Sequence, residues 1–175
     1  MTSRFPGSAV EDILVQGLEL LSHLDQESYT RRFSGPLSSC VGAHYRHVLD
    51  HFHCLLDGLM DGCVDYDHRR RSLAIENSRD AGVAATEYLI AAFKRLPSAV
   101  LSQECMVVSN VGYGQPETPA VRSTLNRELS YCVGHAIHHF ALVKILCASM
   151  LVTLPEEFGV APSTLQYQQT QAVAC

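Results

Sequence analysis

Nine histidines occur in 175 residues, beside only thirteen Lys and Arg, and most of them fall into two stretches. His44, His47, His51 and His53 form the first; His135, His138 and His139 form the second. On a helix, His135 and His139 are i, i+4 neighbours with Cβ atoms about 5–6 Å apart. Two imidazoles at that spacing can hold one metal ion between them, as HExxH helices do. A third ligand must come from another helix, and the first stretch offers His44, His47 and His51. Three neutral imidazoles suit Zn²⁺, Ni²⁺ or Fe²⁺ and leave a coordination position open for water or substrate. Glu128 lies on the same line of its helix as His135, at about +20° on a wheel that sets His135 at zero. It is a candidate to orient a ligand or to act as acid and base beside the metal. Because an imidazole must be neutral to ligate, occupancy is expected to fall as the pH drops below about 6.5.

Helical wheels rank the histidines of the first stretch. With His44 at zero, His51 falls at about −20° and His47 at about −60°, while the apolar face centres near about +70°. His44 and His51 are thus nearest the core, and His53 is expected to face solvent. On the second stretch His139 lies at about +40° and His138 at about −60° from His135, with the apolar face near about +80°. His138 is therefore at the rim. The competing interpretation is a set of core histidines, each satisfied by one hydrogen bond. Burying three or more imidazoles without a metal or a full set of partners is costly. Two clusters on helices that can face each other therefore favour a metal.

The elements that must position these side chains follow from hydrophobic periodicity. From Ala9 to Leu24 the apolar residues Val10, Ile13, Leu14, Leu18, Leu21 and Leu24 keep a helical rhythm, with Ser8 as N-cap. Asp25 to Leu37 is polar, contains Gly35 and Pro36, and reads as a loop. A second helix runs from caps at Ser38 and Ser39 to about Met60 and is ended by Asp61-Gly62, with Asp57 and Asp61 exposed. Val64 to Asn77 reads as an irregular surface connection, its Arg69-Arg70-Arg71 a solvated face. A third helix spans Ser78 to Leu96 and stops at Pro97. Cys105 to Ser109 reads as a short strand, and Gly112 to Pro119 as a turn. Ser123 caps a fourth helix that reaches about Leu151. Gln166 to Cys175 is short of apolar residues and is expected to fray. The fold predicted is all-α: a four-helix bundle over residues 8–152 with an extended connection between its third and fourth helices, then a C-terminal tail over 153–175.

Composition narrows the function. Hydrophobic residues make up 47% and charged residues 18%, which supports a packed core and excludes a disordered chain. A formal net charge of −5 leaves too few cations for a nucleic-acid surface. No window of about 18 uninterrupted apolar residues exists, so no membrane span is expected. Met1 to Gly7 lacks the apolar run of a secretory signal, and the expected address is cytoplasmic. The cysteines at 40, 54, 63, 105, 132, 147 and 175 form no CxxC pair and are expected to be free thiols that pack as small hydrophobes. GxGxxG, GxxxxGK[ST] and GxSxG are absent; Gly112-Tyr113-Gly114 reads as a bend. No internal repeat is visible.

The run Cys40-Val41-Gly42-Ala43-His44-Tyr45-Arg46-His47-Val48-Leu49-Asp50-His51, with Gly134-His135-Ala136-Ile137-His138-His139-Phe140 further on, resembles the DinB-like (YfiT-like) superfamily over most of the chain. Phe158 to Leu165 is similar to the tail of one bacterial subgroup. The resemblance implies a bundle whose second helix supplies one metal ligand, at His47, and whose last helix supplies two, at His135 and His139. His51, His44 and His138 are the next candidates. Cys40 stands where the family pattern often has Ser. A bacterial, cytoplasmic, often homodimeric protein is implied, holding Zn²⁺, Ni²⁺ or a similar ion and acting on a small molecule. Relatives include thiol-dependent transferases and isomerases that use low-molecular-weight thiols, and a module of sulfoxide synthases.

Two functions stay open at this level. In a metal-dependent enzyme of the thiol-transferase or hydrolase type, the ion lowers the pKa of a bound thiol or water. Glu128 then accepts the proton, and Arg127 or Arg46 holds a carboxylate of the thiol. In a non-catalytic metal-binding or interaction module, a fourth protein ligand such as His51 or His138 closes the site.

Overall fold

The structure, a computed structural model, describes residues 6–34, 38–113 and 119–173. The expectations placed on Met1 to Phe5, on Gly35 and Pro36, on residues 114–118 of the turn and on Cys175 lie outside these residues. Helix α1 covers Pro6–Ser22 and so begins ahead of the Ser8 cap predicted for it. The loop expected after it contains a short helix, α2, Gln26–Thr30. Asp25 creates it by N-capping: its Oδ1 accepts from the Ser28 amide at 2.7 Å. Tyr29, buried, then donates through its hydroxyl to the Ile75 carbonyl at 2.7 Å. The third helix in chain order, α3, is Val41–Asp61. Its N-cap is Cys40 and not the predicted serines, the thiol sulfur accepting from the Ala43 amide at 3.3 Å. Gly62, at φ +68°, ends α3 in the left-handed conformation that glycine adopts without a Cβ penalty.

The stretch read as irregular contains strand β1, Cys63–Asp65, and helix α4, Leu73–Asn77. Helix α5 is Arg79–Lys94, N-capped by Ser78. After a 3₁₀ turn at Ser98–Ser102 come strand β2, Glu104–Val108, and strand β3, Val121–Thr124. Helix α6 is Leu125–Ser149, capped by Thr124 where Ser123 was expected. Helix α7, Pro162–Val173, occupies most of the segment expected to fray.

Four long helices, α1, α3, α5 and α6, form the bundle: α1 packs on α5 and α6, and α3 packs on α6 and α5. Their inward faces supply the core, from Val10, Leu14 and Leu21 through Tyr45, Phe52 and Leu89 to Leu129, Phe140 and Val143. Among the described residues α6 alone is long and apolar enough, by length and composition, to cross a membrane. Its apolar positions Leu129, Ala136, Phe140 and Val143 are buried against the other helices. Phe158, past the end of α6, is also buried and stacks on Phe140 with ring centroids 5.1 Å apart.

The small sheet, order β1-β2-β3, was legible only at β2. β1 pairs with β2 in parallel and β2 with β3 antiparallel. Its consequence for the site is direct. β1 follows the C-terminus of α3 and β3 leads into α6, so the sheet ties the end of one helix to the start of the other. That holds α3 and α6 antiparallel, with their two histidine stretches opposed.

Candidate metal centre

Along the α3–α6 contact the histidines pair in antiparallel order. His135 Nε2 lies 3.0 Å from His47 Nε2, and His139 Nδ1 lies 3.0 Å from His44 Nδ1. One ligand nitrogen from each of His47, His135 and His139 falls within 4.8 Å of the others. These are the three positions the resemblance singled out. Two nitrogens bound at 2.0–2.1 Å to one tetrahedral ion lie about 3.3 Å apart, so the cluster needs only small side-chain adjustments to close on a metal. All three are half-buried, and no carboxylate belongs to the group. This donor set fits a borderline divalent transition metal such as Zn²⁺.

The remaining histidines surround the three. His51 is buried, 3% exposed, with its ring 4.1 Å from that of His135. Its Nδ1 donates to the His47 carbonyl at 2.8 Å, which leaves Nε2 with a free lone pair. His44 is half-buried, and its Nε2 has no partner among the described residues. His138 is exposed and meets His139 edge-on, ring centroids 5.3 Å apart. His53, expected in solvent, is half-buried and stacks on Tyr88 at 6.0 Å.

Burial is the main force on the protonation of these rings. It pushes His47 down to about 2, His139 to about 3, and His51 and His135 to about 4. The positive charge of neighbouring imidazoles adds to the effect, as does Arg69 for His47, His51 and His135. Neutral imidazoles are therefore the resting state well below pH 6.5. The sequence-based expectation that protons displace a metal just under pH 6.5 took the range of an exposed imidazole, and burial moves these rings below it.

Glu128 is buried, 6% exposed, and carries two donors: Ser123 Oγ to Oε1 at 2.6 Å and the Tyr66 hydroxyl to Oε2 at 3.0 Å. Tyr66 in turn stacks on His51 at 5.3 Å. A chain of contacts thus links Glu128 to the histidines through a tyrosine. Arg46, one of the two arginines considered for a carboxylate, is already committed. It lies 3.4 Å from Asp50 Oδ2 and 3.1 Å from Glu76 Oε2. Arg127 is exposed and forms no ion pair among the described residues.

Tyr66, Tyr131 and Arg69 are the neighbours that sequence reasoning missed. Tyr66 is buried because its amide extends the parallel pairing, donating to the Val108 carbonyl at 2.9 Å. The alternation of Val64 and Tyr66 was the available signal. Tyr131 stacks on His135 at 5.7 Å. Of the three arginines read as a solvated face, Arg70 does pair with exposed Asp57, at 2.6 Å. Arg69 instead turns inward, Nη1 donating to the Tyr66 carbonyl and Nε buried without a partner among the described residues. The six described cysteines are free thiols. Burial raises Cys54 and Cys147 to about 11 and Cys132 to about 12, so they pack as neutral thiols.

Comparison with known proteins bears on the fold. No family model matches the sequence. FK506-binding protein 5 of Rhizopus delemar is 33% identical over 111 residues, which are 62% of this chain and 28% of that protein. The chain thus spans little more than a quarter of the curated relative it matches. A DinB-like protein of Bacillus subtilis, YjoA, superposes with a TM-score of 0.63 at 18% identity, covering 86% of this chain and 95% of that one. At that identity the likeness speaks to architecture, and the architecture agrees with the expectation drawn from the histidine-bearing segments: this chain has the DinB-like fold.

Proposed function

We propose that this protein binds one divalent transition metal through His47, His135 and His139 and uses it in a reaction of the thiol-transferase or hydrolase type. The observation that carries the reading is the convergence of three neutral imidazole nitrogens within 4.8 Å from two different helices. When bound, such an ion supplies Lewis acidity that favours the anionic form of a thiol or water. The chain's own residues would do the rest. The three histidines hold the ion; Glu128, poised between Ser123 and Tyr66, takes up and returns a proton. A low-molecular-weight thiol is the second cofactor in this reading, with Zn²⁺, Ni²⁺ or Fe²⁺ as the metal.

A closed, non-catalytic site is the second reading, favoured by one feature: His51 keeps a bare Nε2 beside His135. Cobalt substitution separates the two. An absorption spectrum that shifts on adding a small thiol supports the open site, and an unresponsive four-coordinate spectrum supports the closed one. Metal analysis of tag-free protein tests both, with near one equivalent per chain expected and none in the double variant His135→Ala/His139→Ala.

A cytoplasmic homodimer acting on a small molecule completes the proposal. Light scattering at micromolar concentration checks the assembly, and a mass near 19.3 kDa refutes it.

A further inference from the structure

Two clefts meet at Arg127 and Tyr131. One, about 430 Å³, is lined by Arg127, Ser130, Tyr131, Gly134 and His135. The other, about 210 Å³, runs to the sheet and is lined by Tyr66, Val111, Val121 and Glu128 together with Arg127 and Tyr131. Together they form a track along the first turns of α6, from a metal-site histidine to β3.

The chemistry of the track is lopsided. Arg127 is exposed, and no carboxylate neutralises it among the described residues. The adjacent Glu128 makes no ion pair with it among the described residues, and its oxygens accept from Ser123 and Tyr66. A planar guanidinium recognises a carboxylate in a two-pronged fashion. Beyond it, Val111 is 88% exposed and Val121 57% exposed. Single apolar side chains in water are ordinary, but these two share a concave wall with two tyrosine rings 5.3 Å apart. An apolar cleft with one convergent charge is the usual form of a small-ligand site.

We propose that this track binds an organic carboxylate bearing an apolar chain: the carboxylate on Arg127, the chain along Val111, Val121 and Tyr131 toward the sheet. The His135 side of the track is left for the group that reacts. The assignment of a substrate side rests on the metal-site reading above; the binding of the carboxylate does not.

Hexanoate and its neutral counterpart hexanamide are suitable probes, titrated by calorimetry into metal-loaded and metal-stripped protein with metal content measured in each sample. Hexanoate is expected to bind both forms, with hexanamide about ten-fold weaker. Arg127→Gln should remove that difference, and Val111→Asp should weaken hexanoate by a similar factor. Gly134→Phe is the control. A Cβ at Gly134 meets nothing within 4 Å, so the backbone there accepts a side chain, and hexanoate binding should persist. Equal binding of the two probes, or undiminished hexanoate binding in Arg127→Gln, overturns the proposal. So does binding that requires the metal and disappears in Gly134→Phe, because the carboxylate then sits on the ion. Hexanoate binding to a protein that proves unable to hold metal leaves the cleft assignment standing and removes the metal reading alone.

Discussion

His44 Nδ1 lies 3.0 Å from His139 Nδ1, and this contact decides which nitrogen His139 can offer to a metal. Ligation through Nε2 places the His139 proton on Nδ1, and in that tautomer His44 is the acceptor 3.0 Å away. Replacing His44 by Phe keeps the ring shape and removes the acceptor. Metal affinity should fall about 10–100-fold, measured by competition with a chromophoric chelator, while the circular dichroism stays unchanged. An unaltered affinity would mean that His44 is only a packing residue.

The helix-three histidines should rank by position. His47 is the α3 member of the three-nitrogen cluster, so His47→Ala is expected to empty the site. His51→Ala should retain metal with weaker binding, because its hydrogen bond to the His47 carbonyl is lost. His138→Ala, at an exposed position, should bind as the parent does. A full site in His47→Ala and an empty one in His51→Ala would reverse the assignment of the α3 ligand.

Stability of the metal-free protein should depend on pH with a definite sign. In the unfolded chain these histidines protonate near pH 6.5, whereas His47, His139, His51 and His135 resist protonation in the fold down to about 2, 3, 4 and 4. Between those limits the unfolded chain binds more protons. The unfolding free energy is therefore full above pH 6.5 and drops below it, by up to about 1.4 kcal/mol per pH unit for each such histidine. Urea midpoints at pH 7.5 and pH 5 check this, the second being lower. Metal should remain bound at pH 5 wherever the chain remains folded. Release centred at pH 6.5 from a folded protein contradicts the burial of the cluster.

Gly159 joins the segment after α6 to the bundle. Its φ is +69°, and a Cβ there would lie 2.7 Å from the Ala141 nitrogen and 2.8 Å from the Phe140 carbonyl carbon. Its amide also donates to Gln16 Oε1 at 3.1 Å. Gly159→Ala adds an unfavourable backbone conformation to a clash with helix backbone and should cost about 2–4 kcal/mol in urea unfolding. A cost below about 0.5 kcal/mol, the range of an ordinary surface change, would show that this segment does not hold α6.

By itself the sequence determined the four long helices and the partners on offer to a metal. Helical periodicity is a local property, so the apolar rows of α1, α3, α5 and α6 stood out, and the i, i+4 spacing of His135 and His139 was readable at once. The choice among His44, His47 and His51 was not readable from amphipathicity. A wheel reports which side of α3 is apolar, whereas ligation depends on how α3 is rotated and shifted against α6. That register is set by packing and by a sheet whose strands come from distant parts of the chain. Parallel pairing of β1 with β2 joins residues some forty positions apart, and such long-range pairing leaves little trace in a short segment. Only the tertiary structure turned Tyr66 and Arg69 inward from a stretch that reads as polar. The low protonation range of the histidines has the same origin, because desolvation is a property of what surrounds a ring and not of the ring itself.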